Sequence, residues 1–190
     1  DQVDLNVTVK ERNTGSLQFG LGYSSVDKLT ISASVAQANI FGSGNQLSFA
    51  VNSGTVNKTY ALSYLDPYWT VDGVSRGFDI YRRDLDSSTL SIGTYTSKTE
   101  GLGVRFGVPI TEYNNINFGL GYERTKLGLA SGSPQRYVDF VNLFGNATDT
   151  LRGSLGFASD TRDSIFYPTR GTLSEFGVEA GVPGGDLKYY

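Results

Sequence analysis

The sequence predicts an all-β protein, an antiparallel transmembrane β-barrel to which this chain contributes about nine strands. Three observations lead to this prediction. Apolar and polar residues alternate with a period of two along most of the 190 residues. The positions opposite the apolar ones hold Gly, Ser, Thr, Asn and charged residues, as in the lumen of a barrel. Compact turns alternate with longer polar connections, which is typical of outer-membrane barrels.

The predicted strands follow one another along the whole chain. Val3, Leu5, Val7 and Val9 form one face of a first strand, which is suited to close a small soluble domain before the polar junction 10–15. Nine further alternating stretches follow from Ser16 onward. Their apolar positions are Leu17, Phe19, Leu21 and Tyr23; Leu29, Ile31, Ala33 and Val35; Leu47, Phe49 and Val51; Tyr60, Leu62 and Tyr64; Phe78 and Ile80; Leu102, Val104, Phe106 and Val108; Ile116, Phe118, Leu120 and Tyr122; Leu151, Leu155 and Phe157; and Phe176, Val178, Ala180 and Val182.

A barrel wall in lipid exposes one face of each strand to the membrane. The residues predicted to face lipid are Leu29, Ile31, Phe49, Leu62, Val104, Phe106, Phe118, Leu120, Leu155, Phe157 and Val178. A soluble sandwich also has one apolar and one polar face and is the alternative at this point. The barrel is favoured because aromatic residues gather beside one set of turns, as in interfacial girdles.

The two ends of the strands differ in their connections. Turns 39–44, 66–73, 109–115 and 164–171 combine Pro or Gly with aromatic residues, and we expect them at the periplasmic rim. The predicted interfacial aromatic residues are Phe41, Tyr68, Trp69, Tyr113, Phe166 and Tyr167. Connections 25–28, 55–58, 84–91 and 130–149 are expected at the outer side.

The insert 130–149 contains one segment with helical spacing. Ser133 is a candidate N-cap, Pro134 suits the first turn and Gly145 suits the end of a helix. Tyr137 and Val141 recur at helical spacing between them. A helix over the barrel mouth, a helix at the outer interface and an unstructured loop all remain open.

The composition excludes several classes of function. The chain has no Cys and no His, so disulfides, the commonest zinc sites and His-activated nucleophiles are missing. A net charge of −3 argues against nucleic acid as a partner. Asp160, Arg162, Asp163 and Arg170 form a charged group without a nucleophile–base pair, which indicates a structural ion network inside the lumen. We therefore expect no enzymatic activity, no catalytic residue, no metal and no cofactor.

Several stretches resemble the Omp85 superfamily of outer-membrane proteins. Segment 9–16, followed by Phe-Gly-Leu-Gly-Tyr at 19–23, resembles the junction between the last POTRA domain and the first barrel strand. Segments 66–73, 106–114 and 167–171 extend the resemblance over essentially the whole chain. It implies that residues 1–12 are the end of a POTRA domain and its junction. Residues 13–190 are then the N-terminal part of a barrel of about sixteen strands, whose second half lies outside this chain.

The resemblance also implies a function, in the branch of the superfamily that assembles β-barrel proteins. It implies that the protein folds and inserts client barrels into the bacterial cell outer membrane through a lateral gate at the first strand. The implied partners are outer-membrane lipids, unfolded outer-membrane protein clients and accessory lipoproteins. The residues of the gate are Ser16, Leu17, Gln18, Phe19, Gly20, Leu21, Gly22, Tyr23 and Ser24.

Two other classes of function remain open from the sequence. One is an Omp85-type secretion channel, such as a two-partner secretion transporter, or another outer-membrane pore. The other is a soluble all-β binding module. Gly20 and Gly22 have two interpretations as well: they either weaken the first strand so that the gate opens, or leave space inside the barrel wall.

Overall fold

Nine β-strands and one α-helix make up the part of the chain that the computed structural model describes, which is residue 8 and residues 13–88, 90 and 94–186. In chain order they are β1 (Gly15–Ser24), β2 (Lys28–Gln37), β3 (Gln46–Ser53), β4 (Asn57–Asp66), β5 (Ser75–Asp86), β6 (Tyr95–Pro109), β7 (Asn114–Leu129), α1 (Gln135–Phe144), β8 (Ala147–Asp160) and β9 (Leu173–Gly181). A 3₁₀ turn, Ile40–Gly42, connects β2 to β3. The expected strand 3–9, the junction up to residue 12 and the start of a further strand at 187–190 lie outside the described residues, apart from Thr8.

All nine strands form one antiparallel sheet, in which every strand pairs with its neighbours in sequence. The order β1-β2-β3-β4-β5-β6-β7-β8-β9 is that of an up-and-down barrel wall. The all-β class and the prediction of about nine antiparallel strands are therefore confirmed. No helix in the described ranges combines the length and hydropathy needed to cross a membrane.

Side chains of directly opposed residues lie on the same face of a sheet, so the register shows how the strands share their faces. Phe49 lies opposite Leu62, Leu62 opposite Ile80, and Ile80 opposite Leu102. Further along, Phe118 lies opposite Leu155, which lies opposite Val178 on β9. The predicted apolar positions thus form one continuous surface, which we call the apolar face; the other side is the polar face.

This sheet has almost no internal apolar core. Within the described residues, Val56 is the one buried hydrophobic side chain, at 2% exposure. Leu21 on the apolar face is 78% exposed and Leu120 is 57% exposed. A soluble domain of this size would bury most of its apolar surface. The apolar face therefore needs an apolar surrounding, which argues against the soluble binding module.

The insert between β7 and β8 contains the helix α1, so of the alternatives for this segment a helix is correct. Gly145 ends it with a φ of 84°, and its N–H donates to the Val141 carbonyl. The proposed cap at Ser133 is wrong, because Pro134 occupies the N-cap position. The Ser133 hydroxyl instead accepts the Ala130 N–H and donates to the Thr94 carbonyl, which ties the segment before α1 to the residue that precedes β6.

Ring contacts show on which side of the sheet α1 lies. Tyr137 of α1 packs on Tyr95 with ring centroids 4.4 Å apart. Tyr95 is opposite Leu129 in a ladder whose register places it on the polar face. The helix therefore lies on the lumen side, as expected of a helix over the barrel mouth. The connection is also shorter than expected, since β8 already begins at Ala147.

The charged group around turn 161–172 forms two local sets, and the prediction of one network is wrong. Arg162 binds Asp160 at 2.8 Å. Asp163 accepts the backbone N–H groups of Thr169, at 2.9 Å, and Arg170, at 3.1 Å, and the hydroxyl of Thr169. These hydrogen bonds, led by that of the Thr169 hydroxyl, lower the pKa of Asp163 to about 2.

This lowered pKa makes the turn sensitive to acid. Because the folded-state pKa lies below the ordinary value, the carboxylate stabilises the turn above about pH 4, and this stabilisation is lost as the pH falls towards 2. We expect hydrogen-exchange protection of the Thr169 and Arg170 amides to fall in this range. In Asp163→Asn, the protection of these two amides should already be low at pH 5 and should not fall further as the pH is lowered. Asp72→Asn, in another turn, should behave as the unchanged protein; an acid step that persists in Asp163→Asn contradicts the assignment.

Gly171 in the same turn is required by its backbone. Its φ is 89°, and a Cβ would overlap the Thr161 carbonyl. Gly132 has a φ of 91° but open space around it, so Gly132→Ala measures the cost of the φ angle alone. We expect Gly132→Ala to cost about 1 kcal/mol and Gly171→Ala about 2 kcal/mol more. Thermal unfolding of the two variants checks this; equal losses would show that the overlap relaxes at no cost.

Candidate functional site

The sheet ends in two edges, and β1 forms the first of them. All ten β1 residues are aligned with β2, from Gly15 opposite Gln37 to Ser24 opposite Lys28. Among the described residues, β2 is the one strand that pairs with β1. On its other edge β1 has no partner strand within the described residues, so its backbone groups there can pair with a further strand.

The register also shows which β1 residues direct their backbone groups to this open edge. The Ala38 N–H donates to the Thr14 carbonyl at 3.3 Å, so these opposed residues form a hydrogen-bonded pair. In an antiparallel ladder such pairs alternate with pairs that are not hydrogen-bonded. Even-numbered β1 residues thus bind β2. The odd-numbered residues Leu17, Phe19, Leu21 and Tyr23 direct their N–H and C=O groups outward.

The same four residues carry large apolar side chains that are exposed. Their exposed fractions run from 63% at Leu17 to 78% at Leu21 and Tyr23. All four lie on the apolar face. An added strand that pairs with these backbone groups would therefore also extend the apolar face of the sheet.

The two β1 glycines differ in what surrounds them. A Cβ on Gly20 would overlap the Ser32 hydroxyl, and this hydroxyl donates to the Gly20 carbonyl at 3.4 Å. The interpretation that glycine leaves space is therefore supported at Gly20. At Gly22 the nearest atom to such a Cβ is that of Thr30, at 4.0 Å, so this position is not required by packing. Gly22 therefore adds flexibility to the strand without being needed for packing.

The polar face holds two groups of hydrogen-bonded charged and hydroxyl side chains, which together reach from β4 to β9. Arg105 donates to Asp79 at 2.7 Å and to the Ser63 hydroxyl at 3.1 Å. Further along, the Tyr81 hydroxyl donates to Glu123 at 2.5 Å and accepts from Arg152 at 2.9 Å.

Arg152 completes this second group. It lies 3.9 Å from Glu123 and 3.8 Å from Glu179. Together the contacts join four strands. The arrangement satisfies its own charges, and it contains neither a nucleophile–base pair nor, within the described residues, a group of three or more metal-binding side chains.

Three long side chains of these groups lie across a glycine on the neighbouring strand. Arg105 is opposite Gly77, Tyr81 is opposite Gly101, and Arg152 is opposite Gly121. A Cβ on Gly77 would lie 2.6 Å from Nε of Arg105, and one on Gly101 would overlap the Tyr81 ring. The pairs were not predicted from the sequence, although the glycines share the parity of the polar face.

At the turn end, the predicted interfacial aromatic residues are all exposed, from Trp69 at 47% to Phe41 at 100%. Trp69 packs on Phe106 with centroids 5.6 Å apart. Arg76, which the sequence did not indicate, lies 4.9 Å above the Trp69 ring and 3.8 Å from Asp66. An arginine at this end of the apolar face is thus neutralised and covered by an aromatic ring.

Comparison with known proteins decides the family. A model of the Omp85 superfamily domain matches residues 39–190. The chain belongs to the Omp85 superfamily. It is 36% identical over its whole length to the outer membrane protein assembly factor BamA of Neisseria meningitidis serogroup B, covering 25% of that protein. It is 30% identical over 98% of its length to BamA of Nitratidesulfovibrio vulgaris, covering 23% of it.

A solved Omp85 structure shows the same fold. The crystal structure of BamA from Haemophilus ducreyi lacking POTRA domains 1–3 matches with a TM-score of 0.75 and 32% identity, over 93% of this chain and 36% of that one. The chain spans about a quarter of the curated relatives it matches. The resemblance to BamA, the β-barrel fold and the location in the bacterial outer membrane are confirmed.

The Tyr81 hydroxyl links two charged residues of the polar face, which predicts its contribution to stability. Tyr81→Phe should lower the free energy of unfolding by about 1 kcal/mol, because a donor to Glu123 and an acceptor for Arg152 are both lost. Tyr60→Phe is the control, since its hydroxyl has no hydrogen bond among the described residues. Chemical denaturation in detergent measures both. Equal effects of the two substitutions would contradict a role for the Tyr81 hydroxyl.

Proposed function

We propose that this chain forms the gating part of an outer-membrane protein assembly factor and that the open edge of β1 accepts the strands of client barrels. The observation that carries the proposal is the row of outward backbone groups at Leu17, Phe19, Leu21 and Tyr23. The relatives named outer membrane protein assembly factor support the same role.

The membrane makes such an edge a strong binding site. Hydrocarbon contains no water, so each unpaired N–H or C=O costs several kcal/mol there. A client strand that pairs with β1 removes this cost for both partners. Backbone pairing tolerates many side-chain sequences, which suits a factor that handles many different barrels.

The side chains of β1 support the same reaction. The outward-bonding residues carry Leu, Phe, Leu and Tyr on the apolar face, so a client strand with ordinary barrel alternation would match β1 on both faces. Packing does not require Gly22. A glycine within a strand lowers its stability by roughly 0.5–1 kcal/mol relative to Ala, so Gly22 makes β1 easier to bend. This supports a lateral gate at the first strand.

The proposal also assigns the remaining surfaces and partners. The apolar face, with the eleven residues predicted to face lipid, contacts outer-membrane lipids, and the six aromatic residues at the turns lie at the interface. Unfolded outer-membrane proteins are the clients, and accessory lipoproteins are further partners. Residues 1–12 belong to the end of a POTRA domain and residues 13–190 to the barrel.

Proline at an outward position tests the edge directly. In the full-length protein, Leu21→Pro removes a single N–H, one of those directed away from β2, and keeps the β1–β2 ladder. We expect it to slow folding of a client barrel into vesicles by at least about fivefold relative to Leu21→Ala, because one backbone hydrogen bond is lost. Equal rates for the two variants would contradict pairing at this edge.

Crosslinking gives an independent readout, since these 190 residues contain no cysteine. Phe19→Cys should form a disulfide with a cysteine in a client strand during assembly. Phe49→Cys, on the same face of β3 but in a strand paired on both sides, should not. A stable ion-selective conductance without client crosslinking would instead favour a secretion channel or pore.

A further inference from the structure

The apolar face changes character at the end of the strands opposite the aromatic turns. Next to the apolar row of Leu62, Ile80, Leu102 and Tyr122 lies a first charged row, Arg82, Glu100, Arg124 and Asp149. Two residues further along the strands lies a second charged row, Lys58, Asp84, Lys98 and Lys126. In each row the residues are directly opposed on neighbouring strands.

The first charged row is neutralised internally. Its signs alternate from strand to strand, so each cation has an anion beside it. Arg82 lies 3.2 Å from Glu100, and Arg124 lies 3.6 Å from Asp149. Arg82 also binds Asp84 of the second row at 3.2 Å.

The second row is not neutralised. Lys98 and Lys126 are directly opposed, and like charges at such positions are destabilising. The nearest anion in the row, Asp84, is occupied by Arg82, and Asp86 interacts electrostatically with Lys58. In the part of the chain that the structure describes, no carboxylate lies within 4.0 Å of Lys98 or Lys126, and both side chains are exposed.

Directly beside these rows the apolar face contains a groove of about 560 Å³. Phe49, Tyr60, Leu62, Ile80, Leu102 and Tyr122 line it, with Arg82, Glu100 and Arg124 at its charged end. The groove therefore runs from apolar walls to the first charged row. The second row lies about 7 Å further out, a distance similar to the depth of the headgroup layer in one leaflet.

We propose that this groove and the Lys98–Lys126 pair bind a lipid with an anionic phosphate headgroup, whose acyl chain lies against Leu62, Ile80 and Leu102. The phosphate supplies the anion that the lysine pair lacks, and lysine stems reach to headgroup level along an apolar surface. At the other end of the strands Arg76 is neutralised by Asp66, so the site is specific to this end. The inference rests on the proposed contact of the apolar face with lipid.

Binding to the full-length protein in phosphatidylcholine nanodiscs tests the site. The probes are phosphatidic acid and diacylglycerol with the same acyl chains, and bound lipid is counted by native mass spectrometry. We expect phosphatidic acid to bind about tenfold or more tightly than diacylglycerol, and the pair of substitutions Lys98→Gln and Lys126→Gln to abolish this preference. The matched control is Arg83→Gln with Arg170→Gln, which also removes two cations, one from the polar face and one from a turn.

Three results of the binding measurement would overturn the proposal. The first is equal binding of the two lipids, and the second is a loss of the preference for phosphatidic acid in the control variant as well. The third is binding of inorganic phosphate alone as tightly as phosphatidic acid, which would indicate a phosphate site without an acyl subsite. Thermal unfolding in zwitterionic detergent is a further readout. Lys126→Gln should raise Tm by relieving repulsion, whereas a lower Tm would reveal an internal partner and contradict the proposal. Leu21→Pro should retain lipid binding, so failure of client assembly remains a separate result.

Discussion

The fold depends on pairing backbone groups from strand to strand, because a membrane offers no water to satisfy them. In this sheet β2 to β8 are each paired on both sides, whereas the described part of β1 is paired on one. Side-chain packing contributes little, as Val56 is the one buried hydrophobic residue described. The wall is thus held together by its hydrogen-bond ladders and by the medium around it.

The two faces of the sheet carry different side chains, although both follow from the same alternation with a period of two. The apolar face is unbroken from β1 to β9, and its charges appear in rows only at one end. The polar face is stabilised by arginines and a tyrosine that join several strands, such as Arg152 between Glu123 and Glu179. Glycines opposite Arg105, Tyr81 and Arg152 let these long side chains lie flat against the sheet. Charged side chains therefore lie on the polar face or at the ends of the strands.

Much of this architecture could be predicted from the sequence, because alternation alone assigns every side chain to a face. The apolar set from Leu29 to Val178 was found in this way, whereas the exposed turn aromatics and the helix end at Gly145 were found from Pro and Gly in the connections. Register could not be predicted, since it depends on turn geometry. For this reason the opposed pair Lys98–Lys126, the glycine partners of Tyr81 and Arg152 and the outward bonding of Leu21 were missed. Ser133 was misassigned because its hydroxyl binds the carbonyl of Thr94, which is distant in sequence.

The order of the strands also determines how the sheet can form. Every strand pairs with its neighbour in sequence, so each hairpin closes a short loop and little chain entropy is lost at each step. The wall can therefore grow one hairpin at a time from any starting point, without a contact between distant parts of the chain. Within the described residues every pairing joins neighbours in sequence, so a further partner of β1 would have to be found by a long-range search. Under the proposed function, this slowest contact in the folding of the sheet is made at the same edge at which a client strand binds.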